Sequence, residues 1–155
     1  MRIEIDRAKL VEICQRFGIN LVVLFGSRAK GWDRPGSDYD IAVWFEDCPD
    51  EPDPRLETAI WEAFAELLGT DKLDLIVLNR ADGALSFEVA YYGVPLYEAF
   101  PFAFQKFQLL AVKRYQDMRR IDRWNRLYIS EYLRREEDAQ RDRDQIEAGR
   151  SEEVS

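Results

Sequence analysis

The sequence predicts an α/β fold of the α+β kind: a small mixed β-sheet flanked by helices and followed by a long C-terminal helix. Three observations carry that expectation. Short apolar runs at 19–25, 39–45 and 73–78 read as strands. Segments with apolar residues at steps of three and four alternate with them. From about 102 onward the same helical period continues without a turn signal.

Asp6 is placed to cap a first helix carrying Leu10, Cys14 and Phe17 at helical spacing, with Gly18 as its stop. The Val- and Leu-rich run 19–25 reads as a buried strand. Gly26-Ser27 breaks it, 28–31 fits one short helical turn, and 32–37 is a loop. In the second strand Ile41, Val43 and Phe45 share a face with Tyr39, because side chains alternate. An Asp-, Glu- and Pro-rich loop at 47–54 leads into a helix bearing Leu56, Ile60, Phe64 and Leu67, ended near Gly69. The third strand is 73–78, and a helix over about 84–92 is closed by Gly93. Residues 94–97 add an edge strand, where Pro95 is tolerated. Phe104, Phe107, Ala111, Tyr115 and Met118 begin the long helical stripe, and Ile121, Trp124, Tyr128 and Tyr132 continue it. After Leu133 the chain is dense in both charges and reads as a solvated helix or disorder. The expected organisation is one domain over 1–100, a helix over 101–133 packing on it or on a partner, and a charged tail over 134–155.

Composition narrows the chemistry. With 155 residues, 46% of them apolar, one core is affordable, and no apolar run approaches the roughly 20 residues that span a bilayer. The charged N-terminus does not read as a signal peptide, so a cytoplasmic location is expected. Cys14 and Cys48 match no zinc spacing and read as a buried and an exposed free thiol. The absence of histidine excludes His-based triads and His-ligated zinc. Any metal must be held by oxygen, which favours Mg²⁺ or Mn²⁺. A net charge of −8 disfavours stable nucleic-acid binding and suits a basic protein partner.

Against that background three features stand together. Gly26-Ser27 follows a buried strand; after ten residues comes Asp38-Tyr39-Asp40; Asp74 lies in the third strand. Asp38 and Asp40, two apart on a strand, point to one face. Two such carboxylates repel, raising one pKa, unless a cation lies between them. Asp74 interrupts an apolar strand expected in the sheet interior, where a charge is costly unless paired or coordinated. It joins the same site only if the third strand neighbours the second. Gly26 permits close backbone approach. Ser27 offers a hydroxyl and an N–H at a possible helix start, and Arg28 and Lys30 are the nearest cations for a triphosphate. Each feature alone has an ordinary reading: a turn, a cap, an edge-exposed acid, solvated surface cations. Their order and spacing make the combination specific. Such parts suit two-metal phosphoryl transfer.

The string from Phe25-Gly26-Ser27-Arg28-Ala29-Lys30-Gly31 to Ser37-Asp38-Tyr39-Asp40-Ile41-Ala42-Val43, with the Asp74 strand and Gly93-x-Pro95-Leu96-Tyr97, resembles the DNA polymerase β-like nucleotidyltransferases. Within that superfamily it is similar to the minimal nucleotidyltransferase group, over about residues 8–100. The resemblance implies the nucleotidyltransferase fold and an antitoxin paired with a HEPN-domain toxin, usually a ribonuclease. It further implies transfer of AMP from ATP to a toxin tyrosine with two Mg²⁺ ions. Gly26 and Ser27 would then hold the triphosphate, with Arg28 and Lys30 beside it. Asp38 and Asp40 would be metal ligands, and Asp74 the third carboxylate. The pattern implies an active enzyme in a hetero-oligomer with its toxin. Two alternatives stay open: an antitoxin that neutralises by steric binding, and nucleotidyl transfer to a small molecule. The aromatic stripe of the last helix is either core packing or, from Trp124 to Leu133, a partner surface. Tyr91, Tyr92 and Tyr97 are expected to pack in the domain, unless one stacks on adenine.

Overall fold

The computed structural model describes residues 4–153. Residues 1–3 and 154–155, part of the charged N-terminus and of the charged tail, lie outside the described residues. The chain forms two units, 1–116 and 117–155.

The first unit opens with α1 (Arg7–Phe17). The Asp6 carboxylate accepts from the N–H groups of Ala8 at 3.0 Å and Lys9 at 3.3 Å, and Gly18 closes the helix in the left-handed conformation at φ +69°. Then come β1 (Ile19–Phe25), the five-residue α2 (Gly26–Lys30) and β2 (Tyr39–Phe45). Helix α3 (Pro54–Leu68) starts from the Asp53 cap with Pro54 in its first turn. Strand β3 (Leu73–Val77) stops one residue short of the apolar run, because Leu78–Arg80 turn as a 3-10 helix. Helix α4 (Gly83–Tyr92) and strand β4 (Val94–Glu98) precede α5 (Ala103–Glu153).

The sheet order is β3-β2-β1-β4. Strand β1 runs antiparallel to β2 and β4, and β2 runs parallel to β3. Strand β1 is therefore central and covered on both faces, which explains its unbroken apolar sequence. On one face Val22, Leu24, Ile41, Val43 and Phe45 meet α1 and α3. On the other, Leu21, Val23, Phe25 and Ala42 meet Val89 of α4 and Phe104, Phe107 and Ala111 of α5. The expectation that Asp74 sits on an interior strand is corrected: β3 is a sheet edge, and Asp74 is exposed. Its apolar neighbours reflect packing beneath the edge, so the charge costs little there. Strand β4, with Pro95, is the opposite edge, as expected.

Arg114 ties α5 to the turn after β3. Its guanidinium donates to the carbonyls of Leu78 at 2.7 Å and Asn79 at 3.1 Å and lies over the Trp44 ring. Burial lowers its pKa. Cys14 is buried and Cys48 partly so, both as free thiols, and burial pushes the Cys14 thiol up to about 12. That leaves Cys14 un-ionised and inert.

In the second unit, 117–153 is helical, so the charged segment after Leu133 is a solvated helix among the described residues. Every residue from 119 to 151 is exposed. The stripe thus divides in kind: Phe104, Phe107 and Ala111 are core, whereas Ile121, Trp124, Tyr128 and Tyr132 are exposed.

Candidate active site

The candidate residues meet where β1 ends and β2 and β3 begin. In register, Phe25 pairs with Asp40, and Asp40 pairs with Asp74. The parallel β2–β3 ladder thus sets two carboxylates side by side on neighbouring strands. Asp38 lies just outside β2, at the end of the preceding loop rather than on the strand as the sequence suggests, yet its charge reaches Asp40. Ala42, Trp44 and Ile76 continue the face of Asp40 and Asp74 into the core beneath α4 and α5.

Gly26 adjoins Asp40 closely. Its φ is +72°, and a Cβ there would stand 2.0 Å from Asp40 Oδ2. Both the backbone conformation and the space require glycine. Ser27 follows, half-buried, on α2.

Burial raises the Asp40 pKa, and Asp74, Asp38 and Glu88 raise it further in that order. Asp40 is thus the hub of four acids, disfavoured as an anion without a counter-charge. Among the described residues no three Cys, Asp or Glu side chains already form a cage for a metal ion. Repulsion among like carboxylates opposes such gathering without a cation. An all-oxygen set around an electrostatically strained carboxylate, roofed by a bare glycine backbone, fits a hard divalent ion such as Mg²⁺.

The two cations are placed differently from each other. The Arg28 guanidinium donates to the Ser37 carbonyl at 2.6 and 3.2 Å, lies 3.6 Å from Asp33, and covers the Tyr39 ring at 3.8 Å. It fastens the loop 31–38 that delivers Asp38. Lys30 Nζ contacts Glu88 Oε1 at 2.8 Å and stands over the Tyr92 ring at 4.4 Å. Lys30 therefore borders the acidic hub. Glu88 was not singled out from the sequence, although it is the one charged residue in the apolar stretch Gly83–Tyr92, a signal that was there to read. Tyr91 and Tyr92 do not pack inside the domain; both are exposed, and Tyr97 is half-buried. A cavity of about 470 Å³ lies at the other end of the strands, against Cys14, Ile19, Phe45, Cys48, Val77 and Arg80. It includes none of these carboxylates. Asp40 and Asp74 lie at the opposite end, where β2 and β3 begin.

Residues 8–100 match the family described as Polymerase beta, Nucleotidyltransferase. The chain belongs to this family. A curated member, protein adenylyltransferase MntA of Aphanizomenon flos-aquae (strain 2012/KM1/D3), is 28% identical over 123 residues, covering 76% of this chain and 82% of that protein. A crystal structure of a toxin-antitoxin with AMP-PNP superposes at TM-score 0.63 with 23% identity, over 76% of this chain and 93% of that one. A structure of the tri-AMPylated Shewanella oneidensis HEPN toxin in complex with MNT antitoxin gives TM-score 0.57 and 22% identity, over 76% and 89%. These likenesses show that the nucleotidyltransferase fold is shared. Among the described residues no helix is long and apolar enough to cross a membrane.

Proposed function

We propose that this nucleotidyltransferase is an antitoxin that transfers AMP from ATP to a tyrosine of a cognate HEPN ribonuclease toxin and so silences it. The observation that carries the reading is the pairing of Asp40 with Asp74 across β2 and β3, with Gly26 pressed against the Asp40 carboxylate. Family membership supports the reaction class, and the MntA relative, named a protein adenylyltransferase, supports a protein acceptor.

In the transfer, the acceptor oxygen forms a bond to the α-phosphorus of ATP, the bond to the β-phosphate oxygen breaks, and pyrophosphate leaves. Asp38 and Asp40 would hold two Mg²⁺ ions, with Asp74 a ligand on the nucleophile side. When bound, the ions would neutralise the triphosphate and make the acceptor hydroxyl easier to ionise. Asp74, at the open sheet edge, would accept the acceptor's proton. Gly26 lets the backbone approach the triphosphate, Ser27 contributes its hydroxyl and N–H, and Lys30 adds positive charge at the rim. Arg28 acts through the loop it holds, positioning Asp38.

Co-expression with the neighbouring toxin gene, followed by intact-mass measurement of the toxin, tests the proposal. Gain of one or more AMP units by wild type, and none with Asp38→Ala/Asp40→Ala, is the expected result. An unmodified toxin that the double variant still neutralises would overturn it in favour of steric binding.

A further inference from the structure

We infer that the outer part of α5 is a self-pairing surface on which a second copy of this chain lies antiparallel. Ile121, Trp124, Tyr128, Tyr132 and Ile146 lie along this solvated helix, each more than half exposed. Trp124 and Tyr128 stack at 5.8 Å, forming one aromatic ledge. A helical stretch so long without internal caps is typical of paired helices.

The spacing of this face is palindromic. From Ile121 the positions 124, 128, 132, 135, 139, 143 and 146 follow at steps of three, four, four, three, four, four and three. The eleven-residue period holds the stripe on one side of a nearly straight helix. An antiparallel copy centred between Leu133 and Arg134 sets Ile121 against Ile146 and Tyr128 against Ala139. It also sets Trp124 against Arg143 and Tyr132 against Arg135. Each aromatic ring then meets a small residue or a guanidinium, the latter a favourable stacking partner.

Charge selects the direction. Residues 117–135 hold six arginines and three acids, whereas 136–151 hold six acids and three arginines. A parallel pair would lay like on like; an antiparallel pair lays the basic half on the acidic half. In the centred register, Asp122 falls beside Arg143 and Glu131 beside Arg134 of the other copy. The contact runs about 38 Å, at roughly 1.5 Å per residue.

Light scattering on the full chain is expected to give twice the 18.2 kDa monomer mass, and Tyr128→Glu/Ala139→Glu to return it to monomer. Orientation is read by mild oxidation in a Cys48→Ser background. Ile121→Cys chains mixed with Ile146→Cys chains should cross-link, while neither does so alone. A monomer at all concentrations overturns the inference, as does cross-linking of Ile121→Cys with itself, which marks a parallel pair. A monomer that loses a co-purifying toxin when Trp124 and Tyr128 become alanine also overturns it and assigns the face to that partner.

Discussion

Replacing Gly26 with alanine separates a backbone cost from a catalytic one, because Gly18 supplies a matched control. The two glycines have nearly equal angles, φ +72° and +69°. An L-residue in that region costs about 1–2 kcal/mol, partly offset by the reduced freedom of the unfolded chain. A net loss of about 1 kcal/mol, or about 2–4 °C in melting temperature, is expected for each. Only at Gly26 does the methyl meet an obstacle. Its Cβ would stand 2.0 Å from Asp40 Oδ2, 2.8 Å from Cγ and 3.1 Å from Cβ, whereas nothing lies within 4 Å at Gly18. To restore ordinary contact the Asp40 carboxylate must retreat by about 1.4 Å, and a misplacement of about 1 Å costs on the order of 10²-fold in rate. Single-turnover AMP transfer, read by intact mass of the acceptor, should fall by about that factor in Gly26→Ala and stay near wild type in Gly18→Ala. Urea unfolding of both variants gives the stability half of the comparison. Wild-type transfer by a folded Gly26→Ala enzyme would refute the placement of Asp40 at the reaction centre.

Three further outcomes are expected. The Asp40 pKa lies above its ordinary 3.8, so between 3.8 and the raised value the folded state holds the proton more tightly than the unfolded chain. Stability therefore falls as pH rises through that window and stays lowered above it; in EDTA at neutral pH, Asp40→Asn should melt higher than wild type, and excess Mg²⁺ should raise the wild type but not the variant. Arg114→Ala removes the donor to the Asn79 carbonyl, leaves the Leu78 carbonyl only its 3.3 Å bond from the Ala81 N–H, and bares the face of Trp44. It should cost about 2 kcal/mol in urea unfolding, which Arg114→Lys recovers only in part, since lysine lacks the planar fork. Arg28→Lys keeps the charge but loses the two-pronged contact with Ser37 and the stack on Tyr39. It should slow transfer more than Lys30→Ala, whose main effect should be a higher KM for ATP.

Much of the fold was legible in the sequence because local rules governed it. Asp6 and Gly18 bracket α1, and Gly69 ends α3, since side-chain caps and left-handed glycines act over a few residues. The unbroken run 19–25 marked a strand covered on both faces, and Pro95 marked an edge. The spacing of Asp38 and Asp40 was legible, although only Asp40 lies on β2 and Asp38 ends the loop before it. Long-range contacts account for what was missed. The run 73–78 reads as an interior strand, yet β3 is an edge, because burial under helices and burial between strands select the same apolar residues. Arg28 and Lys30 look alike in the motif, but Ser37 and Tyr39 claim one and Glu88 the other.

The three aspartates and the bare Gly26 were thus set out by the sequence, through spacing that any strand–turn–strand arrangement must respect. With no histidine in the chain, any metal it held would fall to carboxylates. Which strand lies beside β2, that Asp40 and Asp74 come abreast, and that Glu88 joins them were decided only by the tertiary structure. The reason is physical: a residue's identity encodes its local geometry and its hunger for burial. Which residues become its neighbours depends on how the whole sheet and its helices pack.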